Sequence, residues 1–416
     1  MHLKRRRMRA AGFVLLYSLG AAAIGAAQDQ SSAGPPGLIK EPRGMIKSVD
    51  LVGRWMGDSS VPPKDGFYPQ IGTITGAGWI SAGPGYRTRL FNRHAVVDGS
   101  AAISLRAYKT AQARFEWTDL AHDHVAVGSQ VRWQDLTQVN YFGVGADSLE
   151  SNRSEYRLKS TDVLGYASVR ATDWLTIGGR FGWLQQPTLS AATGPFDRDF
   201  PNALVTFPRD PGIAQPVSFV HGGVSVEADT RNYPGHPTSG GLYRAAVAAY
   251  SDRDLSQFSF RRYEAEAAQF IPVAGSRWVL ALHGWGVVSD TSSGNDVPFY
   301  LLPSLGGQDT LRGYNDYRFH DRNLLVVNAE SRWALLRDID AAVFFDAGNV
   351  APRAGDLNLD KTSYGAGLRV HSRTTTIGRL DVGRSTHEGW RVFFKLDDPL
   401  RLARLSRRAP VIPFVP

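Results

Sequence analysis

Apolar and polar residues alternate one for one in many short segments of this 416-residue chain. Ala111, Ala113, Phe115 and Trp117 interleave with Gln112, Arg114, Glu116 and Thr118. Leu175, Ile177, Phe181 and Trp183 alternate with Thr176, Gly178, Arg180 and Gly182. A period of two places successive side chains on opposite faces of an extended strand, so these segments predict antiparallel strands with one apolar and one polar face. The polar faces carry opposite charges and glycines, as a wet lumen requires. The apolar faces end in Trp or Phe, as lipid-facing strands do at the membrane interface. After the first residues no stretch approaches the roughly 20 apolar residues of a spanning helix.

Counting such segments predicts about sixteen strands, starting near residues 71, 85, 99, 109, 123, 154, 174, 217, 241, 256, 276, 323, 339, 362, 375 and 388. The long connections, roughly 135–152, 185–216, 289–322 and 348–361, follow strands five, seven, eleven and thirteen. In an up-and-down barrel all odd-to-even connections share one face. Short turns on one side and long loops on the other are the asymmetry of an outer-membrane barrel. The fold expected is all-β: a transmembrane antiparallel up-and-down barrel.

The ends of the chain read differently. Lys4, Arg5, Arg6, Arg7 and Arg9 precede an apolar run that closes in small residues near Ala27, the pattern of a secretory signal peptide. Those five basic residues, with Arg401, Arg404, Arg407 and Arg408 in a tail without acids, outweigh the formal net charge of +8, so residues 28–400 sum to −1. The basic balance therefore reports a leader and a tail, and a nucleic-acid-binding face is not expected. Residues 28–70, with Pro35-Pro36 and Pro62-Pro63, read as a short periplasmic lead-in. Residues 71–397 read as the barrel and 398–416 as a basic periplasmic tail. There is no cysteine, in keeping with an exported bacterial chain that has no disulfide framework.

Four segments stand out from the alternation. They are Tyr141-Phe-Gly-Val-Gly145 followed by Asp147-Ser148, and Asp229-Thr-Arg231 leading to Pro237-Thr-Ser-Gly240. The others are Leu311-Arg-Gly-Tyr314 and Phe344-Phe-Asp-Ala-Gly-Asn349. In this order they resemble motifs of the bacterial surface-antigen superfamily of outer-membrane assembly and translocation barrels, the BamA/TamA-like proteins. The resemblance spans about residues 70 to 397. It implies that a sixth extracellular loop folds back into the lumen, where Arg312 of the loop motif Leu311, Arg312, Gly313 and Tyr314 pairs with acids on the inner wall. Asp346 belongs to the matching strand motif. Glu330 lies on the preceding strand, where Asn328, Glu330 and Arg332 share the polar face. A planar guanidinium holds carboxylates bidentately, which Lys cannot copy. Gly313 allows close backbone approach or positive φ beside it. Asp229, Arg231 and Gly240 mark a family turn whose residues suit turns for conformational reasons, with no chemistry assigned. Tyr141 and Phe142 also read as interfacial aromatics.

Gly389, Val392 and Phe394, in His387-Glu-Gly389-Trp-Arg-Val392-Phe-Phe394, resemble the last-strand signal by which barrel precursors are recognised. They equally make an ordinary lipid-facing stripe, and about twenty residues follow Phe394. The lead-in is too short for the periplasmic POTRA domains of assembly members, so a member reduced to its barrel is expected.

Catalytic motifs are absent, and no enzyme activity, cofactor or metal is expected. His122, Asp123 and His124 form the only tight His/acid cluster in the sequence and read as a polar turn. The expected partners are outer-membrane lipids and periplasmic proteins, around a monomeric barrel. Three functions stay open: assembly or translocation of proteins or lipids, a gated pore or channel, and a structural surface antigen without transport. The first would use a weak seam between strand sixteen and strand one, the latter placed at about Ile71 to Ile80 with Gly72, Gly76 and Gly78.

Overall fold

The computed structural model describes residues 65–396 apart from 197–199 and 373, with backbone only at 118 and 119. The expected leader, the lead-in before residue 65 and the tail from residue 397 lie outside the described residues.

The described chain is an antiparallel sheet whose strands pair in sequence order. The first eight strands are β1 (Gly66–Thr73), β2 (Ile80–Leu90), β3 (Ala95–Ser104), β4 (Lys109–Leu120), β5 (Val125–Tyr141), β6 (Ser154–Arg170), β7 (Leu175–Leu184) and β8 (Phe219–Asp229). The second eight are β9 (Gly240–Asp252), β10 (Phe260–Pro272), β11 (Trp278–Thr291), β12 (Asn323–Ala334), β13 (Ile339–Ala351), β14 (Lys361–His371), β15 (Thr376–Ser385) and β16 (Gly389–Lys395). A short segment, Thr188–Ala191, continues β7 along the same neighbour, β6, after a break at 185–187. No backbone ladder joins β16 to β1 among the described residues, so the sheet is a nearly closed barrel with one seam.

All sixteen strands start within five residues of the positions expected from alternation. The largest differences are at β1 and β2, which begin at Gly66 and Ile80 rather than near 71 and 85. Pro69 and Pro84 face each other across that pair. A proline cannot donate to a ladder and belongs on an edge strand, which β1 is, so the pair looks unlike a strand until its position at the seam is known. Gly76 and Gly78 consequently lie in the tight turn after β1, and of the three seam glycines only Gly72 is on the strand.

Burial follows the alternation with its usual sense reversed. Phe115, Val127, Val131, Trp133, Ile177, Phe181 and Trp183 are exposed, as are Val343, Phe345, Leu380, Val382, Trp390, Val392 and Phe394. The buried faces carry Asp98, Glu116, Asp162, Arg244, Glu330, Arg332, Asp346, Arg369, Arg379 and Asp381. A soluble sheet hides its apolar face and wets its polar one. The opposite arrangement suits an apolar solvent outside and a hydrated interior.

The connections sort by rim. The odd-to-even ones include 142–153, 185–218, 292–322 and 352–360, while most even-to-odd ones, such as 91–94, 121–124 and 335–338, are tight turns. The 230–239 connection is the longest on the turn rim. At the loop rim Tyr141, Tyr156, Phe219, Tyr250, Phe299 and Tyr300 belong to one buried aromatic cluster. Tyr141 and Phe142, expected at the membrane interface, are both fully buried, and the Tyr141 ring packs edge-on against Tyr156, Phe207 and Phe299.

Candidate functional site

The segment 304–320 of the long loop is irregular backbone held at both its base and its tip. Ser304–Leu305 pairs with Phe319–His320 as a two-residue ladder, closing a compact hairpin. Leu305, Leu311, Tyr314 and Phe319 are buried against Val287, Leu324, Val326 and Val350. This apolar pad brings the hairpin's tip down onto the buried polar faces of β12–β15.

Arg312 is at that tip and is almost wholly buried. Its Nε and Nη2 donate to Asp346 Oδ2 and Oδ1 at 3.0 and 2.7 Å, and its backbone N–H donates to Oδ2 at 3.0 Å. Its Nη1 reaches Glu330 Oε2 at 2.5 Å. The guanidinium also lies over the Phe344 ring, 3.7 Å from the centroid. Burial alone would weaken its charge, but Asp346 and Glu330 raise the pKa above the ordinary arginine value. The fork is thus charge-assisted and bidentate on one carboxylate while bridging to a second.

Each carboxylate has further partners. Asp346 accepts from Asn328 Nδ2 at 2.8 Å and Ser363 Oγ at 3.3 Å. Glu330 accepts from Arg332 Nε at 2.8 Å and from Arg369 Nη2 at 2.8 Å. Arg369 also contacts Asp381 at 2.6 Å, and Arg379 meets Asp381 at 2.7 Å and Asp309 at 3.0 Å. Lys395 Nζ closes the chain on Asp309 Oδ1 at 2.7 Å. Five cations and four carboxylates therefore run from the loop across β12–β16. The motif pointed to Arg312, Glu330 and Asp346, and the structure brings these three together. Sequence reasoning missed Arg369, Arg379, Asp381, Asp309 and Lys395. The only signal was charge, on strand polar faces for four of them and in the loop for Asp309, and charge alone does not specify partners.

Gly313 is required by proximity, not by its backbone angles. A Cβ there would sit 2.3 Å from Ser385 N and 2.5 Å from Arg384 C. Gly383 is the reciprocal case, with Arg312 O 1.9 Å from its imagined Cβ. The loop backbone lies directly on β15.

The same hairpin touches both sides of the seam. Gln308 donates its side-chain N–H to Gly76 O in the turn after β1, while Asp309 holds Lys395 on β16. Arg318 donates to Ser148 Oγ and O at 2.8 and 2.7 Å, pairs with Glu388, and stacks over Phe142 and Phe319. The Tyr141–Ser148 stretch is therefore a wall for this loop.

The family turn lies elsewhere. Arg231 grips Asp229 with Nε at 2.8 Å and Nη2 at 2.7 Å, and Gly240 has φ +85°. The turn also reaches β14–β15, where Thr376 N–H donates to Gly235 O at 2.9 Å. Gly389 begins β16 with φ +88°, and Val392 and Phe394 are on its exposed face. His122, Asp123 and His124 occupy the 121–124 turn.

The profile of the Omp85 superfamily domain matches residues 100–385. No curated protein matches the sequence. Among solved structures, BamA from Haemophilus ducreyi lacking POTRA domains 1–3 superposes with a TM-score of 0.58 at 14% identity, covering 80% of this chain and 69% of that one. CdiB from Escherichia coli gives 0.55 at 13% identity, covering 81% of this chain and 63% of that one. The chain thus spans less than two thirds of the CdiB chain. At such identities the likeness is one of fold.

Proposed function

The chain belongs to the Omp85 superfamily, and from that premise we propose that it assembles or translocates proteins or lipids at the outer membrane, opening between β1 and β16 under the control of the 304–320 hairpin. The observation that carries this reading is the position of that hairpin. One residue, Gln308, holds the turn after β1 and the next, Asp309, holds β16, across the one strand boundary without a ladder among the described residues. In this reading the hairpin lies in the lumen and Arg312 is its anchor on the inner wall. The Arg312 cluster keeps the hairpin seated while the two contacts beyond it release or close the seam. The leader pattern of residues 1–27 supports export, and periplasmic proteins are the expected source of clients. No step in this role calls for catalytic chemistry.

The test uses purified protein in liposomes of outer-membrane lipid, with an unfolded outer-membrane barrel precursor as client. Folding of the client is read by heat-modifiable migration and protease protection. The pair Gly76→Cys and Gln308→Cys gives a clean disulfide lock because the chain has no other cysteine. The protein should speed client folding over empty liposomes, oxidation of the pair should slow it, and reduction should restore it. Equal rates in both redox states would remove the hairpin's hold on the β1 side of the seam from the mechanism. No acceleration, with ion conductance across a planar bilayer, would replace assembly by the pore reading.

A further inference from the structure

His236, Asp340 and His371 come from three separate segments and meet at the turn rim. His236 is on the 230–239 connection, Asp340 is the second residue of β13 and His371 is the last of β14. All three are buried. His371 Nε2 lies 3.2 Å from Asp340 Oδ1, and His236 Nε2 lies 3.4 Å from Asp340 Oδ2. The ligand-capable atoms of the trio all fall within 4.8 Å of one another. We propose that this trio is a binding site for a divalent first-row transition metal, of which Zn²⁺ is the best fit, and that the ion pins the 230–239 turn across the turn rim to β13 and β14.

The tautomer of His371 carries much of the argument. Its Nδ1 lies 2.9 Å from the carbonyl oxygen of Ser372, which can only accept, so Nδ1 bears the proton. In the neutral ring Nε2 then presents a lone pair to a carboxylate oxygen. Two electron-rich atoms at this distance are held together either by a second proton on the ring or by a cation shared between them. An Nδ1–H fixed by an outer partner, with Nε2 turned toward a carboxylate, is also how metal-binding histidines are oriented. His236 also turns Nε2 toward Asp340, while its Nδ1 lies 3.3 Å from Thr376 Oγ1, a hydroxyl that can donate to it or accept from it.

A proton on each ring serves this site less well than a metal. The two imidazoles are stacked, with centroids 3.7 Å apart and planes 9° apart. Charging both would set two imidazolium faces together in a buried place. A divalent ion instead takes both rings neutral and offsets the carboxylate. Zinc bonds of about 2.0–2.2 Å at tetrahedral angles separate neighbouring ligand atoms by roughly 3.3 Å, close to the two His–Asp spacings here. Two nitrogens and one carboxylate are a borderline donor set, suited to Zn²⁺ and its neighbours rather than to Ca²⁺ or Mg²⁺, and water completes the shell. Parallel rings cannot both aim in-plane lone pairs at one ion. Loading therefore requires one ring to tilt; His236 sits on a turn whereas His371 ends a strand, which assigns that movement to His236.

The experiment is metal titration of the tag-free, chelator-treated full chain, folded in detergent. Co²⁺ serves as the absorbing probe and Zn²⁺ as its competitor. One equivalent of Co²⁺ should give a low-coordinate ligand-field spectrum that one equivalent of Zn²⁺ abolishes. His236→Ala and His371→Ala should weaken binding by more than the roughly 10–100-fold typical of losing an outer-shell partner. The double variant His122→Ala/His124→Ala, on an exposed turn, should bind as the parent does. Heat-modifiable migration establishes that each variant is folded, and His236→Ala decides if His371→Ala fails to fold. The proposal is overturned if the parent binds no stoichiometric Co²⁺ or Zn²⁺, if binding survives His236→Ala, or if the exposed pair abolishes it. None of these outcomes bears on client folding, so the site stands or falls apart from the assembly role.

Discussion

Removing the Arg312 side chain does not strand its two acids equally. Glu330 keeps Arg332 and Arg369, whereas Asp346 keeps only neutral donors, Asn328, Ser363 and the backbone N–H of residue 312. The penalty of Arg312→Ala therefore falls mainly on Asp346. Breaking a buried pair by deleting one partner costs roughly 3–5 kcal/mol, against about 0–1 for a solvated pair. The expected result is a hairpin open to protease in a barrel that still folds. Arg312→Lys should recover only part, since it loses both the fork and the contact over Phe344. A double-mutant cycle with Asp346→Ala, read by hairpin proteolysis, should show coupling of about 0.5–3 kcal/mol. Strict additivity would mean that the two side chains do not act together. Two other residues of this hairpin make its seating depend on pH, with opposite signs. Burial, aided by Arg318, pushes His320 from 6.5 down to about 3. Its contribution is complete above 6.5 and is lost as the pH falls toward 3. Burial pushes Asp316 from 3.8 up to about 6, with its carboxylate tucked against Gly307. Its contribution is complete below 3.8 and is lost as the pH rises through 6. The histidine is displaced further, so acidification from pH 7.5 to 5 should loosen the hairpin of the parent. Asp316→Asn should sharpen that response and His320→Gln should reverse it. A response unchanged in His320→Gln would assign the pH dependence to other groups. At this scale the sequence was legible where a motif fixed a partner type, as at Arg312, Glu330 and Asp346. His236, Asp340 and His371 gave no such signal, because only the crossing of a turn brings them together.

Alternation revealed the strands because each has one face toward lipid and one toward polar groups, which writes a period of two into nearly every segment. It was least informative at β1 and β2, where Pro69 and Pro84 interrupt the pattern. Turns were harder to read than strands, since Asn, Pro and Gly satisfy local geometry whether or not the turn touches anything else. The 230–239 turn is the instructive case. Asn232 Oδ1 accepts from the backbone N–H groups of Tyr233, Thr238 and Ser239, a self-contained reason for its composition. Yet Gly235 lies so close to the β14–β15 turn that a Cβ would come within 2.5 Å of Thr374 O. Gly235→Ala must therefore lift the turn away, with little effect on the ladders to either side. Hydrogen exchange at the Thr376 amide, which donates to Gly235 O, should accelerate. The amides within β8 and β9 should keep their protection. Unchanged exchange at Thr376 would show that the turn does not depend on this close approach.

For the molecule as a whole, the exposed apolar band and the buried charges fit a closed sheet in lipid, where every backbone group must find its partner inside the protein. Such a barrel keeps its compact form in detergent until boiled. The purified chain should migrate differently with and without heating, and an unchanged mobility would contradict the fold. Orientation can be tested more sharply. Sixteen strands place both ends of the barrel on one side, and the short turns 91–94, 121–124, 273–277 and 335–338 share that side. In outer-membrane barrels the short turns face the periplasm. Leu359 is exposed in the 352–360 loop and Ser276 is exposed in the 273–277 turn, so neither needs a packed neighbour to move. The chain has no cysteine to interfere. An impermeant maleimide applied to intact cells should label Leu359→Cys, and should reach Ser276→Cys only after the outer membrane is permeabilised. The reverse pattern would turn the barrel over, placing the 304–320 hairpin and the loop-rim aromatic cluster at the periplasmic mouth. A client from the periplasm would then meet the loop-rim cluster instead of the 230–239 turn, and the proposed route to the seam would have to be abandoned although every strand were correctly placed.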